Sequence, residues 1–156
     1  MPGRIAAIAR RAAPKGTMEV IERANISFAG GVEGDFRGAL KGAPYRRQIS
    51  LLEAGDWAAA MDELGLAIPW QERRANLLVA DFDLPQMAGV RIAIGDKVVL
   101  ETTIETDPCQ RMEALAIGLQ AALTPDWRGG LCAFVVAEGE VRVGDSIRIL
   151  TKQDFA

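Results

Sequence analysis

"GVRIAIGDKVVLETTIET", residues 89–106, alternates on a two-residue period and turns once. Val90, Ile92 and Ile94 fall on one face, Gly95-Asp96 makes a corner, and Val98, Leu100, Thr102 and Ile104 resume the alternation. Period two marks a strand with one buried face, because successive side chains of an extended chain point to opposite sides of the sheet. A glycine-aspartate pair between two such runs reads as a hairpin turn. "EVRVGDSIRILT", residues 140–151, repeats the scheme with Val141, Val143, a Gly144-Asp145 corner, Ile147 and Ile149. Two similar hairpin corners in one sheet are expected.

Working outward, short strands are expected at 4–9, 19–23, 75–80 and 133–137. Two segments carry helical spacing. In 50–65, Ser50 and Glu53 form a capping-box pair, Leu51, Trp57, Met61 and Leu64 share a face, and Gly65 ends the run. In 107–123, Asp107 is the cap, Pro108 takes the first helical position, and Pro125 lies beyond the end. The expected class is mainly β with a few helices, a β-rich α+β fold, and so many short strands point to a closed or strongly curved antiparallel sheet. Residues 28–48, with Gly30, Gly31, Gly34, Gly38 and Gly42, lack periodicity and read as a binding loop or a mobile segment.

The 156 residues fit one domain, 1–156, with enough length for a core that needs no staples. A net charge of −3 gives no reason to expect nucleic acid as partner. Of the 18 cationic residues, 14 are arginine, whose planar fork matches carboxylate and phosphate as lysine does not; a high-GC genome would produce the same bias. There is no histidine and only two cysteines, which excludes a closed zinc site and any Ser-His-Asp or Cys-His arrangement within the chain. The apolar start is broken by Arg4 and Arg10-Arg11, and no run of about 18 uncharged apolar residues occurs, so neither a leader nor a membrane span is expected. A cytoplasmic protein with reduced thiols is the default.

Several stretches could carry chemistry. Cys109, in "TDPCQRMEAL" (106–115), falls in the first turn of the expected helix with Arg111 nearby, and both features favour the thiolate. A plain buried thiol fits the same residues at least as well. Cys132, at the head of an apolar strand, reads as core. "GGVEGDFRG" (30–38) offers Asp35, Arg37 and permissive glycines for a ligand or, equally, a turn with a surface ion pair. The pairs Arg46-Arg47 and Arg73-Arg74 could rim a phosphate, although solvated charge is commoner at such places, and Arg128 precedes two glycines.

Taken together and in order, "GGVEGDFRG", "RRQISLLEA", "RANLLV", "LPQMAGVRIAIGDKVVLE", "TDPCQRMEAL" and "RGGLCAFVVAEGEVRVGDSIRIL" resemble a MOSC domain, the module named for the C-terminal part of molybdenum cofactor sulfurases. The resemblance spans about residues 30–150 and implies a curved antiparallel β-barrel. It implies molybdenum cofactor (molybdopterin) binding, with a cysteine at the Cys109 position as persulfide sulfur carrier or as a thiolate ligand to molybdenum. The pocket would be shaped by Asp35, Arg37, Arg46, Arg47, Asn76, Arg111 and Arg128. The partner implied is the cofactor or a sulfur donor such as a pyridoxal-phosphate-dependent cysteine desulfurase. The activity would be sulfur transfer or the reduction of N-hydroxylated compounds. The chain has no room for the fused domains of larger relatives and looks like a stand-alone bacterial-type member. It departs from the pattern where Phe36-Arg37 stand near a usual loop histidine, and where Ala75-Asn76-Leu77 replace Glu-Asn-Leu. The alternative reading is a non-catalytic scaffold that keeps the fold. An enzyme acting on a nucleotide phosphate through the 30–38 loop ranks last.

Overall fold

The computed structural model describes residues 2–151 and 154. Strands β1 (Arg4–Arg10), β2 (Glu19–Ile21), β3 (Arg23–Ser27) and β4 (Gly31–Val32) come first and are followed by the glycine-rich loop. β5 (Ile49–Glu53) runs straight into helix α1 (Ala54–Leu64), and a 3-10 turn at Trp70–Arg73 leads to β6 (Leu77–Ala80). The hairpin of β7 (Arg91–Ile94) and β8 (Val98–Glu105) precedes short helices α2 (Gln110–Leu115) and α3 (Leu119–Leu123). β9 (Leu131–Ala137), β10 (Gly139–Arg142) and β11 (Ile147–Ile149) complete the order.

The larger sheet runs β11-β7-β8-β9-β5-β6-β1-β2 and the smaller β10-β3-β4. The 89–106 hairpin forms as its alternation requires: Ile92 pairs with Leu100 and Ile94 with Val98, all four inaccessible to solvent. Thr102 occupies a core-facing position because its hydroxyl is satisfied twice, donating to the Met87 carbonyl at 2.8 Å and accepting the Val90 N–H at 2.9 Å. Pairing is antiparallel throughout except between β5 and β6, which α1 joins as a crossover.

The expected barrel is not closed. The sheet curls until the start of β1 meets the Gly144–Ile147 corner, but the contact is an isolated bridge between Arg4 and Ser146 with neighbouring hydrogen bonds, not a ladder. The reason is local: β11 is three residues long and its corner donates from Gly144 to Ile5 at 2.8 Å, so little extended backbone remains for pairing. The same corner corrects the second hairpin. β10 pairs with β3 and β11 with β7, so Gly144-Asp145 carries the chain from one sheet to the other.

The two expected helices also change. Residues 50–53 belong to β5, where Leu51 pairs with Leu131 and Leu77 in the sheet centre, so burial on both sides overrides the capping-box pattern. Ser50 instead holds Asn76, its N–H donating to Oδ1 at 3.0 Å. The 107–123 helix is two: Ala116 is extended at φ −160° and Gly118 takes φ +91°, while Glu113 accepts the Gly118 and Gln120 N–H groups at 2.9 and 3.2 Å. The helical apolar pattern survives the break, because Met112, Leu119 and Leu123 all pack with Trp57 and Met61 of α1 in a second core.

Glu53, at the junction of β5 and α1, accepts the Leu84 N–H at 3.2 Å. Its pKa is pushed from 4.5 up to about 7, first by burial and then by the charge of Asp56. Burial raises Asp56 as well. A raised folded-state pKa means that the native chain binds more protons than the unfolded one, so stability falls as pH rises from about 4.5 to about 7. Denaturant titrations of wild type should show that loss, and Glu53→Gln should flatten much of it.

Candidate functional site

Among the described residues, the cationic side chains are not spread evenly. Arg11, Arg37, Arg47, Arg73, Arg74 and Arg111 line a single cavity of about 250 Å³ at the mouth of the larger sheet. None of the six forms an ion pair with a carboxylate among the described residues, whereas Arg4, Arg10, Arg91, Arg128, Arg142 and Arg148 each do. Burial, followed by Arg74, Arg37 and Arg111, pushes the Arg11 pKa below its ordinary value. Arg74 is lowered by burial and then by Arg111, with Glu72 opposing. A guanidinium stays protonated despite such shifts, so the cavity is a standing concentration of positive charge in a chain of net charge −3.

The glycine-rich loop forms one wall. Asp35 is 4% exposed and spends its carboxylate on backbone, accepting the Arg11 N–H at 3.0 Å and the Gly38 N–H at 3.1 Å. That carboxylate fastens the loop to the end of β1 and thereby brings Arg11 and Arg37 together. The fully buried Gln48 ties the loop to β9, donating to the Phe28 carbonyl at 2.8 Å and accepting the Val135 N–H at 3.0 Å. Gly38 is required by the loop itself, since a Cβ there would lie 2.3 Å from the Gly30 carbonyl oxygen. The approach expected between this glycine and a ligand is an approach between two parts of one loop.

Arg73 forms the floor. It is 7% exposed, with Nη2 donating to the Thr106 carbonyl at 2.7 Å and Nε to the Gly129 carbonyl at 3.2 Å. Burial lowers its pKa, opposed by Cys109, Cys132 and Asp107. Nη1 has no protein acceptor among the described residues, and no fully buried side-chain nitrogen or oxygen there lacks a partner. Nη1 is therefore open to the cavity that Arg73 lines.

Cys109 is exposed on the cavity rim at the N-cap of α2, with φ −122° and ψ −174°. It stands before the helix, outside the first turn in which the sequence placed it. Cys132 is buried, as expected of core, yet it also borders the cavity, with its sulfur 3.3 Å from the Thr106 hydroxyl.

Of the residues expected from the sequence, the cavity gathers Cys109, Asp35, Arg37, Arg47, Asn76 and Arg111. Asn76 works as a stitch between strands, its amide donating to the Ala9 carbonyl at 3.1 Å. Arg46 and Arg128 lie off the lining. Arg128 is drawn away by Glu63 at 2.9 Å and by the Ala122 carbonyl at 3.1 Å. Arg11 and Cys132 were not expected in the site, and Arg73 and Arg74 were not among the expected pocket residues. The Arg73-Arg74 pair was visible as a possible phosphate rim, but nothing local separates a buried arginine from a solvated one.

Comparison with known proteins gives a consistent result. A family model described as MOSC domain matches residues 25–148. No curated protein matches the chain. Among solved structures, the YuaD protein from Bacillus subtilis superposes with a TM-score of 0.77 at 21% identity, covering 94% of both chains. YiiM from Geobacillus stearothermophilus superposes with a TM-score of 0.71 at 13% identity, covering 97% of this chain and 76% of that one. YiiM from Escherichia coli gives 0.67 at 12%, with coverages of 96% and 70%. At these identities the likeness is one of fold.

Two measurements test the geometry. A bulky thiol reagent should label Cys109 alone in native protein and both cysteines after denaturation, and Cys109→Ser should abolish native labelling. Gly130→Ala would hold a side chain at φ +92° with its Cβ 2.1 Å from the Leu51 carbonyl oxygen, and should cost at least about 2 kcal/mol in chemical denaturation.

Proposed function

This chain belongs to the MOSC domain family, and we propose that its arginine-lined cavity binds the phosphate-bearing molybdenum cofactor with Cys109 as the reactive group. One observation carries the reading: an exposed thiol shares a cavity with six arginines that have no carboxylate partners among the described residues. The donor set fits such a cofactor. Guanidinium forks match phosphate oxygens bidentately, and each charge-assisted bond contributes about 1.5–3 kcal/mol. No group of three or more potential metal ligands occurs among the described residues, so a metal would have to arrive with the cofactor. The bound cofactor would supply a molybdenum centre able to accept sulfur or to undergo redox change.

In this reading Arg37, Arg47 and Arg111, with Arg11, Arg73 and Arg74, hold the phosphate. Asp35 and Asn76 fix the wall from behind. Arg46 and Arg128, which lie off the lining, touch no ligand. Cys109 serves as persulfide carrier or as thiolate ligand, with a cysteine desulfurase as the sulfur source for the first role. Neither role needs an imidazole, in keeping with a chain that lacks one. No helix among the described residues is long and apolar enough to cross a membrane. We place the protein in the cytoplasm, where thiols stay reduced.

The test is expression under molybdate-replete conditions, followed by assay of bound molybdopterin and of persulfide mass. Wild type should carry one or both. Cys109→Ser should lose the persulfide and any metal-thiolate absorption while keeping its melting temperature. Identical empty results for both proteins would overturn the reading. Arg111→Ala should weaken phosphate-ligand binding about tenfold, by loss of one charge-assisted bond.

A further inference from the structure

We infer that the cavity takes its sulfur directly from a small sulfur oxyanion of the thiosulfate class, with Arg73 and its neighbouring arginines holding the sulfonate end beside Cys109. The inference rests on the persulfide reading of Cys109 above and adds a small-molecule donor to the desulfurase named there. Its starting point is the buried Arg73, whose Nη1 opens on the cavity while Nε and Nη2 are held by the Gly129 and Thr106 carbonyls. Arg11 is similar: it is 6% exposed, one Nη1 bond goes to the Pro14 carbonyl, and its other donors are left to the cavity. Two arginines that are buried as residues, each with unused donors on the cavity and no carboxylate within ion-pair distance among the described residues, form an anion receptor. Fixed orientation is what a planar oxyanion face requires, since the donors need not reorganise when it binds.

The chemistry available beside that receptor is narrow. With no histidine in the chain, a transfer that needs proton movement lacks its usual agent. Sulfur transfer from thiosulfate needs none. The Cys109 thiolate attacks the outer sulfur of thiosulfate, a sulfur–sulfur bond forms at Cys109, and the original sulfur–sulfur bond breaks with its electron pair departing on sulfite. One thiolate and one dianion become one persulfide anion and one sulfite dianion, with no proton gained or lost and no outside oxidant or reductant.

The difficulty of this step is electrostatic: three negative charges must meet in one place. In water the encounter is repulsive at every separation. A cavity lined by six cations removes that repulsion and stabilises the charge as it shifts from thiolate to sulfite. The exposed rim position of Cys109 then leaves its persulfide accessible to an acceptor.

The experiment incubates reduced wild-type protein with sodium thiosulfate, measures sulfite by a coupled colour assay, and records intact mass. The expected result is one sulfite and one added sulfur atom per chain, with neither from Cys109→Ser. Arg111→Gln removes an exposed cavity cation and should keep the melting temperature. It should raise by at least about tenfold the thiosulfate concentration that gives half-maximal loading rate, the loss of one charge-assisted contact. Arg73→Lys should lower the second-order rate of loading at least as much, with sulfite inhibition weakened in parallel, an effect that a purely structural role would not produce. A parallel arm loads the protein with inorganic polysulfide. If polysulfide puts sulfur on Cys109 and thiosulfate does not, the thiosulfate inference is overturned while the carrier reading stands. If neither loads Cys109, both fall.

Discussion

The guanidinium of Arg73 joins two segments that the chain order keeps far apart. Its Nη2 fixes the carbonyl of Thr106, three residues before Cys109, and its Nε fixes the carbonyl of Gly129 at the entry to β9. The Gly129–Gly130 backbone must pass so near that a Cβ on Gly129 would stand 2.6 Å from the Thr106 oxygen. The position of Cys109, the start of β9 and the floor of the cavity therefore follow from one buried fork of donors. A lysine could reach only one of those carbonyls at a time, because it offers a point charge where Arg73 offers a planar pair.

Gathering six arginines without carboxylates is unfavourable in an isolated chain. Like charges repel and burial removes solvation, and the lowered pKa values of Arg11, Arg73 and Arg74 record that cost. The fold offsets it with neutral or anionic anchors that are themselves buried: Asp35 on backbone N–H groups, Gln48 between the loop and β9, Asn76 between β1 and β5. The result is a cavity lined by cations that have no carboxylate partners among the described residues. Outside the cavity Arg4, Arg10, Arg91, Arg128, Arg142 and Arg148 pair with carboxylates, whereas the six arginines of the lining do not among the described residues.

Much of the β framework was legible because half-buried strands leave a period-two signature. The 89–106 hairpin needed no tertiary information. Other signals misled for identifiable reasons. Ser50 and Glu53 have the right types and spacing for a capping box, but their segment lies between β9 and β6, and pairing on both sides outweighs a cap. The corner at Gly144-Asp145 looks like the one at Gly95-Asp96, yet its hydrogen bonds go to β1, so the strands on either side separate into different sheets. The 107–123 run keeps its apolar face through a break at Gly118 because Met112 of α2 and Leu119 and Leu123 of α3 share one core with Trp57 and Met61 of α1.

The sequence by itself determined the family, the β-rich class and the lack of any imidazole, because these depend on residue identity and short-range order. Tertiary structure decided which arginines line the cavity. Arg46 and Arg47 are neighbours of identical type, yet only Arg47 lines the cavity, and Arg128 is captured by Glu63. Arg11, Arg37, Arg73 and Arg111 come from four distant segments, and only strand pairing and the Asp35 clasp bring them to one place. Charge acts through space, and a sequence records only distance along the chain.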